Sequence, residues 1–222
     1  TPVPAVQCTD LKKKLGEDDY KISYENNVDA GTATMTITGK GNYQGTFTKD
    51  YTIAPKNLAE PEVKIAPIDA QEYNGMAVTP APSVSYEFGD GTYTLSPVND
   101  YTVAYANNKG TGTATVTVTG TGNFTGSKTA EFRIGQLITN ETKFTISCPA
   151  LTDGTQYVYD GSAFEPEVTV TRIEGNKKLV KDSNYSVTYT DNIHAGTATV
   201  SVEGLGGYVG VWQKTFAIAP RD

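Results

Sequence analysis

The sequence predicts an all-β protein built from three tandem β-sandwich repeats, and two observations predict it. A stretch that begins at Tyr20 (YKISYENNVDAGTATMTITGKGNYQGTFTKDYTI) recurs without a gap at Tyr101 and at Tyr185. Within each copy, apolar and polar residues alternate with the period of two that marks a half-buried strand. Eleven columns are identical in all three copies: two tyrosines, one asparagine, the GTAT run, three further glycines and the closing isoleucine. So many shared turn and core positions mean a shared backbone, because a fixed repeat dictates architecture before any single element is assigned. The repeats divide the chain into residues 1–55, 56–135 and 136–222.

Composition agrees with strands. Thr, Val, Tyr and Gly dominate, and helix formers gather only in the stretch Leu11 to Asp19, LKKKLGEDD. Units of this size bury thin cores, so neighbouring repeats are expected to support one another. A net charge of −7 argues against nucleic acid or an anionic membrane as partner. Cys8 and Cys148 fall at non-equivalent places in different repeats. Both read as free thiols, since a bridge requires closely approaching Cα atoms. No apolar run approaches membrane-spanning length. The chain opens in mid-repeat, as a piece of something longer would, so the lack of a signal peptide says nothing about targeting.

In chain order, the first repeat carries only Pro4-Ala5-Val6 and LKKKLGEDD ahead of Tyr20. The later repeats carry an additional strand there, Pro61 to Pro67 or Phe144 to Cys148, and a Tyr-Asn-Gly or Tyr-Asp-Gly turn at Tyr73 or Tyr159. The first repeat therefore lacks an opening strand, and an exposed sheet edge is expected. Each copy then places Tyr20, Ile22 and Tyr24, or their counterparts, on one face. Asn26-Asn27, Asn107-Asn108 and Asp191-Asn192 open hairpin loops that close at Gly31, Gly112 and Gly196, the residue types that accept φ > 0 most readily. The next strand sets Ala33, Met35 and Ile37 inward and threonines outward, where a branched Cβ suits the pleat. The run from Gly39 to Gly45, like those from Gly120 and Gly204, reads as a tight reversal whose aromatic (Tyr43, Phe124, Tyr208) folds back over the sheet end. A final strand stops at Ala54-Pro55 or Ala219-Pro220, because proline cannot donate to the ladder. Pro55 to Glu60 and Gly135 to Glu141 read as short linkers, with units stacked nearly end to end. About seven strands per full repeat fit an Ig-like sandwich without the Cys…Trp…Cys signature. A helical turn at Leu11 to Asp19 would instead suit a small β-grasp-like unit.

The Tyr-Asp/Asn-Gly turn, the DYxVxYxxN strand, the GTATVTVTGxGNFxG segment and the closing FxIAP together resemble the tandem Ig-like repeats of Gram-positive gut bacterial (Firmicutes-type) cell-surface proteins. The resemblance covers the second and third repeats and most of the first. It implies a secreted, wall-attached parent and a stalk or adhesive role. It brings no set of functional residues with it.

Chemistry is sparse. His194, the sole histidine, sits in a hairpin loop where the other copies have Asp29 and Gly110, with no second ligand at coordination spacing. The acids fall mostly in turns (Glu17-Asp18-Asp19, Asp90, Asp153). The clusters Glu25-Asn26-Asn27-Asp29 and Asp191-Asn192 offer oxygen ligands suited to calcium, yet hairpin geometry explains the same residues. The glycine runs lack the Lys-Ser/Thr and helix of a phosphate loop. Lys64 and Lys143 could enter a Lys–Asn cross-link, but the closing strands contain no asparagine. Trp212, aligned with Phe47 and Lys128, could form with Tyr208 a small stacking platform for a sugar ring; a strand aromatic that shields the sheet is the plainer reading.

The expected function is a non-enzymatic spacer, extracellular, on a cell surface or secreted. No cofactor and no metal site are expected. Partners are unassigned, with no nucleic acid and no membrane insertion. The alternative is an adhesin-type module that binds a glycan or host protein through its loops or around Trp212 and Tyr208. Gly112→Val is expected to lower the melting temperature of the second repeat if the loop closes at φ > 0. An unchanged melting temperature would count against the hairpin.

Overall fold

Threonine and aliphatic alternation resolves into paired strands in the computed structural model, which describes residues 2–152 and 155–222. Thr1 and the expected turn acid Asp153 lie outside the described residues. These residues gather into two compact units. The first holds residues 2–64, Val84–Val103 and Val118–Lys128; the second holds Ile65–Ser83, Ala104–Thr117 and the described residues from Thr129 onward. The boundary passes through the middle repeat rather than between repeats.

The third repeat, within the second unit, shows the complete pattern. Phe144–Ser147, Thr169–Arg172 and Lys177–Lys178 form one antiparallel sheet. Tyr185–Thr190, Gly196–Gly204 and Val211–Ala219 form the facing one, and Tyr157–Val158 adds to its edge in parallel with Ile218 and Ala219. The chain thus begins in one sheet and crosses to the other before the first hairpin. Phe144, Val168, Val170 and Leu179 on one side meet Tyr185, Ala198, Val200, Val202, Phe216 and Ile218 on the other in a single buried cluster. This is an all-β, Ig-like sandwich. Cys148 is buried within that cluster and Cys8 is half-buried in the first repeat, and neither forms a disulfide.

The first unit contains the first repeat's meander, Tyr20–Glu25, Gly31–Gly39 and Thr46–Ile53, in the same antiparallel order. Its second layer is reduced to a two-stranded ribbon, Gln7–Cys8 against Lys13–Lys14. The stretch Leu11 to Asp19 is therefore not helical, and the β-grasp alternative falls with it. Lys12 turns the ribbon at φ +50. Three successive lysines without an apolar stripe give a helix no face to bury, whereas a ribbon leaves them in water. In the middle repeat the meander strands are Tyr101–Ala106, Gly112–Gly120 and Ser127–Leu137. The last of these lacks the proline that ends its counterparts, so it runs on through Gly135 to Leu137 and converts part of the expected linker into strand.

The hairpin loops follow the predicted chemistry. Asn26, Asn107 and Asp191 adopt φ of +53, +56 and +54, and Gly112 closes its loop at +128. The adjoining asparagine, identical in all three copies, has a separate task. Asn108 Nδ2 donates to Val78 O at 3.0 Å while Val78 N donates to Asn108 O at 2.8 Å. Asn192 laces to Phe164 in the same way, at 3.1 and 2.8 Å. Those bonds hold the crossing segment of each full repeat. The second shared tyrosine works beside them: Tyr105 Oη donates to Pro80 O at 2.7 Å, Tyr189 Oη to Pro166 O at 2.6 Å, and Tyr24 Oη to Pro2 O. Tyr51 carries a hydroxyl where the other copies have Phe132 and Phe216, and that oxygen is buried with no hydrogen-bond partner among the described residues.

Burial pushes the Tyr189 phenol up to about 12, with the nearby Cys148 and Glu165 adding to the shift. Below its ordinary value of about 10, folded and unfolded chains both keep the proton and the full stability is present. Between about 10 and 12 the unfolded chain ionises first, so stability is lost as pH rises through that window. Urea unfolding followed by Trp212 fluorescence should show the midpoint falling from pH 10 to 12, with the fall shallower in Tyr189→Phe. An equal fall in both proteins would remove Tyr189 as the cause.

Candidate functional site at the repeat joints

The glycine-rich reversal is built identically in every repeat. Gly39 N, Gly120 N and Gly204 N donate to the carbonyls of Gly45, Gly126 and Gly210 at 2.9–3.0 Å. A Cβ on Gly120 would stand 2.6 Å from Thr125 N, so the close approach admits only glycine there. What this turn presents is a short free strand edge, and in two repeats the preceding linker occupies it. In the first unit, Lys56–Asn57 pairs in parallel with Phe124–Thr125. Lys56 N donates to Asn123 O at 2.9 Å and Leu58 N to Thr125 O at 2.8 Å. In the second unit, Gln136 and Leu137 pair with Tyr208–Val209; Gln136 N donates to Gly207 O at 2.8 Å and Ile138 N to Val209 O at 2.9 Å.

Each linker then inserts one aliphatic side chain, Leu58 at 0 % exposure and Ile138 at 1 %. Burial of such a group is worth about 1.5–3 kcal/mol, enough to clamp a chain that two backbone bonds alone would hold loosely. The polar fittings differ. At the first joint, Asn123 accepts from Ala30 N at 2.6 Å and donates to Asp29 at 2.8 Å, tying the reversal to the preceding hairpin loop. Lys56 lies between Glu60 and Glu62 and 5.3 Å from the Tyr86 ring centre; its hydrogen bond to Glu60 raises its pKa. At the second joint, Gly207 stands where Asn123 stood, and Arg133 takes over. Its guanidinium donates to the carbonyls of Gly204 (2.9 Å), Tyr208 (3.1 Å) and Gly206 (3.3 Å), with Glu203 3.8 Å away. Beside it opens a cleft of about 830 Å³ that includes Glu131, Arg133, Leu137 and Val211.

Tyr208 thus serves the joint with its backbone, and its half-buried ring packs edge-on against Phe144 at 5.9 Å. Trp212 is half-buried too and packs on the third repeat's core. It lines a smaller cleft of about 230 Å³ with Ile138, Phe144 and Ile146. Three of the other residues weighed as chemistry have structural partners. His194 stacks on Tyr159 at 6.0 Å, Lys64 pairs with Glu87 at 2.5 Å, and Lys143 pairs with Glu72 at 2.7 Å. Among the described residues no three of His, Cys, Asp and Glu come together as a metal site would require, and no helix is long and apolar enough to cross a membrane. Sequence reading passed over Leu58, Ile138 and Arg133. Leu58 stands five residues after Ile53 and Ile138 four after Ile134, so the repeat alignment sets them out of step and only the register of the parallel bridges matches them. Arg133 aligns with Thr52 and Ala217, so the repeat pattern hid it.

No family model matches the chain, and no curated protein matches it. Among solved structures, a cis-dimer of protocadherin gammaB7 domains EC3–6 aligns over the whole of this chain and 70% of its own, at 12% identity and a TM-score of 0.21. A superposition that loose carries no weight for fold or function.

Gly135→Ala tests the second joint. The added Cβ would stand 2.7 Å from Gly207 O and 2.8 Å from a Val209 methyl, so the parallel pair must open. Overpacking of this kind costs about 1–3 kcal/mol. Thermal unfolding should show that loss, while the control Gly16→Ala, with nothing within 4 Å, should leave the midpoint unchanged.

Proposed function

We propose that this chain is a non-enzymatic structural region of a bacterial cell-surface or secreted protein, whose three Ig-like repeats act as a spacer. The observation that carries the reading is the joint that occurs twice, with the same two backbone bonds and the same buried aliphatic anchor. A linker held in a ladder resists swinging in a way that a free loop does not, and nearest-neighbour interfaces supply much of the stability of repeat arrays. The Gram-positive, wall-attached origin rests on the resemblance of the repeat motif. A net charge of −7 suits solubility in such a setting.

A second reading has one observation in its favour. The cleft beside Trp212 is partly aromatic and small enough for a single sugar ring or an aliphatic side chain. On that reading the module is an adhesin that takes a surface glycan or a host protein.

A screen of the purified chain against glycans and extracellular-matrix proteins, with calcium present, separates the two. The spacer predicts no reproducible partner. A hit that Trp212→Ala abolishes, while that variant keeps its melting temperature, would overturn the spacer and place the site at the third repeat.

A further inference from the structure

Asparagine followed by glycine occurs once in the chain, at Asn74-Gly75, inside the Tyr-Asn-Gly turn of the middle repeat. The asparagine side chain sets that turn: Met76 N donates to Asn74 Oδ1 at 3.0 Å, and Gly75 takes φ +85, which residues with a Cβ rarely adopt. The third repeat builds the same turn from Asp160 and Gly161, with Ser162 N donating to Asp160 Oδ1 at 2.8 Å and Gly161 at φ +87. Residues 74–77 are exposed, and a Cβ on Gly75 would meet nothing within 4 Å.

Other asparagines make comparable bonds, but the amide that follows them is tied or shielded. Asn57 accepts from Ala59 N at 3.0 Å, yet Leu58 N is held by Thr125 O at 2.8 Å and its side chain is fully buried. Asn140 accepts from Thr142 N at 3.1 Å and Thr142 Oγ1 at 2.7 Å, donates its own amide to Glu72 at 3.5 Å, and precedes Glu141, which carries a Cβ. Asn123 precedes Phe124, whose N donates to Thr121 O at 3.0 Å. Gly75 N donates to no acceptor among the described residues. A polarised side-chain carbonyl and a bare, unbonded amide nitrogen therefore adjoin at Asn74 alone of these four.

We infer that Asn74 is a site of spontaneous covalent modification, where the chain converts its own asparagine to aspartate and isoaspartate. Gly75 N loses its proton to solvent base and attacks Asn74 Cγ, while the Met76 N–H stabilises the negative charge that gathers on Oδ1. The new N–Cγ bond closes a cyclic imide; the Cγ–Nδ2 bond breaks, and ammonia leaves with a proton from solvent. Water, the only co-reactant, then opens the imide at either carbonyl. Opening at Cγ leaves aspartate, and opening at the main-chain carbonyl leaves isoaspartate, whose backbone runs through Cβ and Cγ. Aspartate is what the third repeat already holds in this turn, so that product keeps the turn. Isoaspartate lengthens the main chain between two anchors of the crossing segment, Tyr73 N to Gly135 O and Val78 N to Asn108 O, each at 2.8 Å. The reaction needs no second protein and advances with time, so it marks the age of the chain.

The test holds the whole chain in mildly alkaline buffer and follows it by peptide mass mapping. Isoaspartate is read separately, as methyl groups accepted from S-adenosylmethionine in the presence of an isoaspartyl methyltransferase. The peptide containing Asn74 should gain the mass of an amide turned carboxylate at least tenfold faster than any other asparagine peptide, and should become a methyl acceptor. Asn74→Gln keeps an exposed amide but needs a larger, slower ring, so it should lose both signals with its melting temperature unchanged. A free peptide of residues 71–78 is the reference, and the folded chain should react within tenfold of its rate. No mass gain at Asn74, comparable gain at Asn27, Asn108 or Asn192, or methyl acceptance undiminished in Asn74→Gln would each overturn the proposal. So would a folded chain more than tenfold slower than the peptide, because the turn would then protect Asn74.

Discussion

The structure depends on a turn that only glycine can make. Gly120 and Gly204 bring the chain back so closely that a Cβ would stand 2.6 Å from a backbone nitrogen. The reversal therefore ends as a free strand edge instead of a rounded loop. A short edge of this kind normally invites unwanted pairing, and proteins manage it by covering it. Here the cover is the preceding linker. One geometric constraint thus both closes a repeat and creates the receptor for the linker that leads into it.

Around that constraint the two joints reach similar ends by different polar means. Asn123 reaches the preceding hairpin through its side chain, whereas Gly207 has none and Arg133 instead gathers three carbonyls of the reversal. Backbone bonds and aliphatic anchors are the same in both. The apolar and main-chain part of the joint is generic, and the polar part is local. Such a division lets repeats drift at the surface while the stacking geometry persists, because ladder bonds do not depend on side-chain identity.

Tyrosine and asparagine columns that look ornamental in the alignment turn out to fasten the crossing segment. Tyr105 and Tyr189 reach proline carbonyls, which have no amide hydrogen on their own residue and so cannot pair as ordinary ladder members. Asn108 and Asn192 bond both ways to that same segment. In the first repeat Tyr24 makes the matching bond to Pro2 O, and among the described residues Asn27 makes no bond of this kind. In the first repeat Tyr20 is half-buried and Phe47 is exposed.

Strand identity, inward faces, hairpin loops and the three-fold period were determined by the sequence alone, because alternation and φ > 0 residue types are local properties that survive without knowledge of neighbours. Gly112 and Asn107 illustrate this, and their dihedrals agree with their residue types. The tight glycine reversals that begin at Gly39, Gly120 and Gly204 were legible for the same reason. The stretch Leu11 to Asp19 was not, since helix propensity there had no apolar stripe to act on and tertiary pairing with Gln7–Cys8 prevailed. Trp212 and Tyr208 stood out as aromatics, yet whether a ring faces water or a core depends on what packs against it, and only the fold placed Phe144 beside Tyr208. The joints were decided by tertiary structure altogether. Parallel pairing between Lys56 and Phe124 spans a sequence distance over which no local rule operates, and the two aliphatic anchors, Leu58 and Ile138, fall one residue out of step in the repeat alignment.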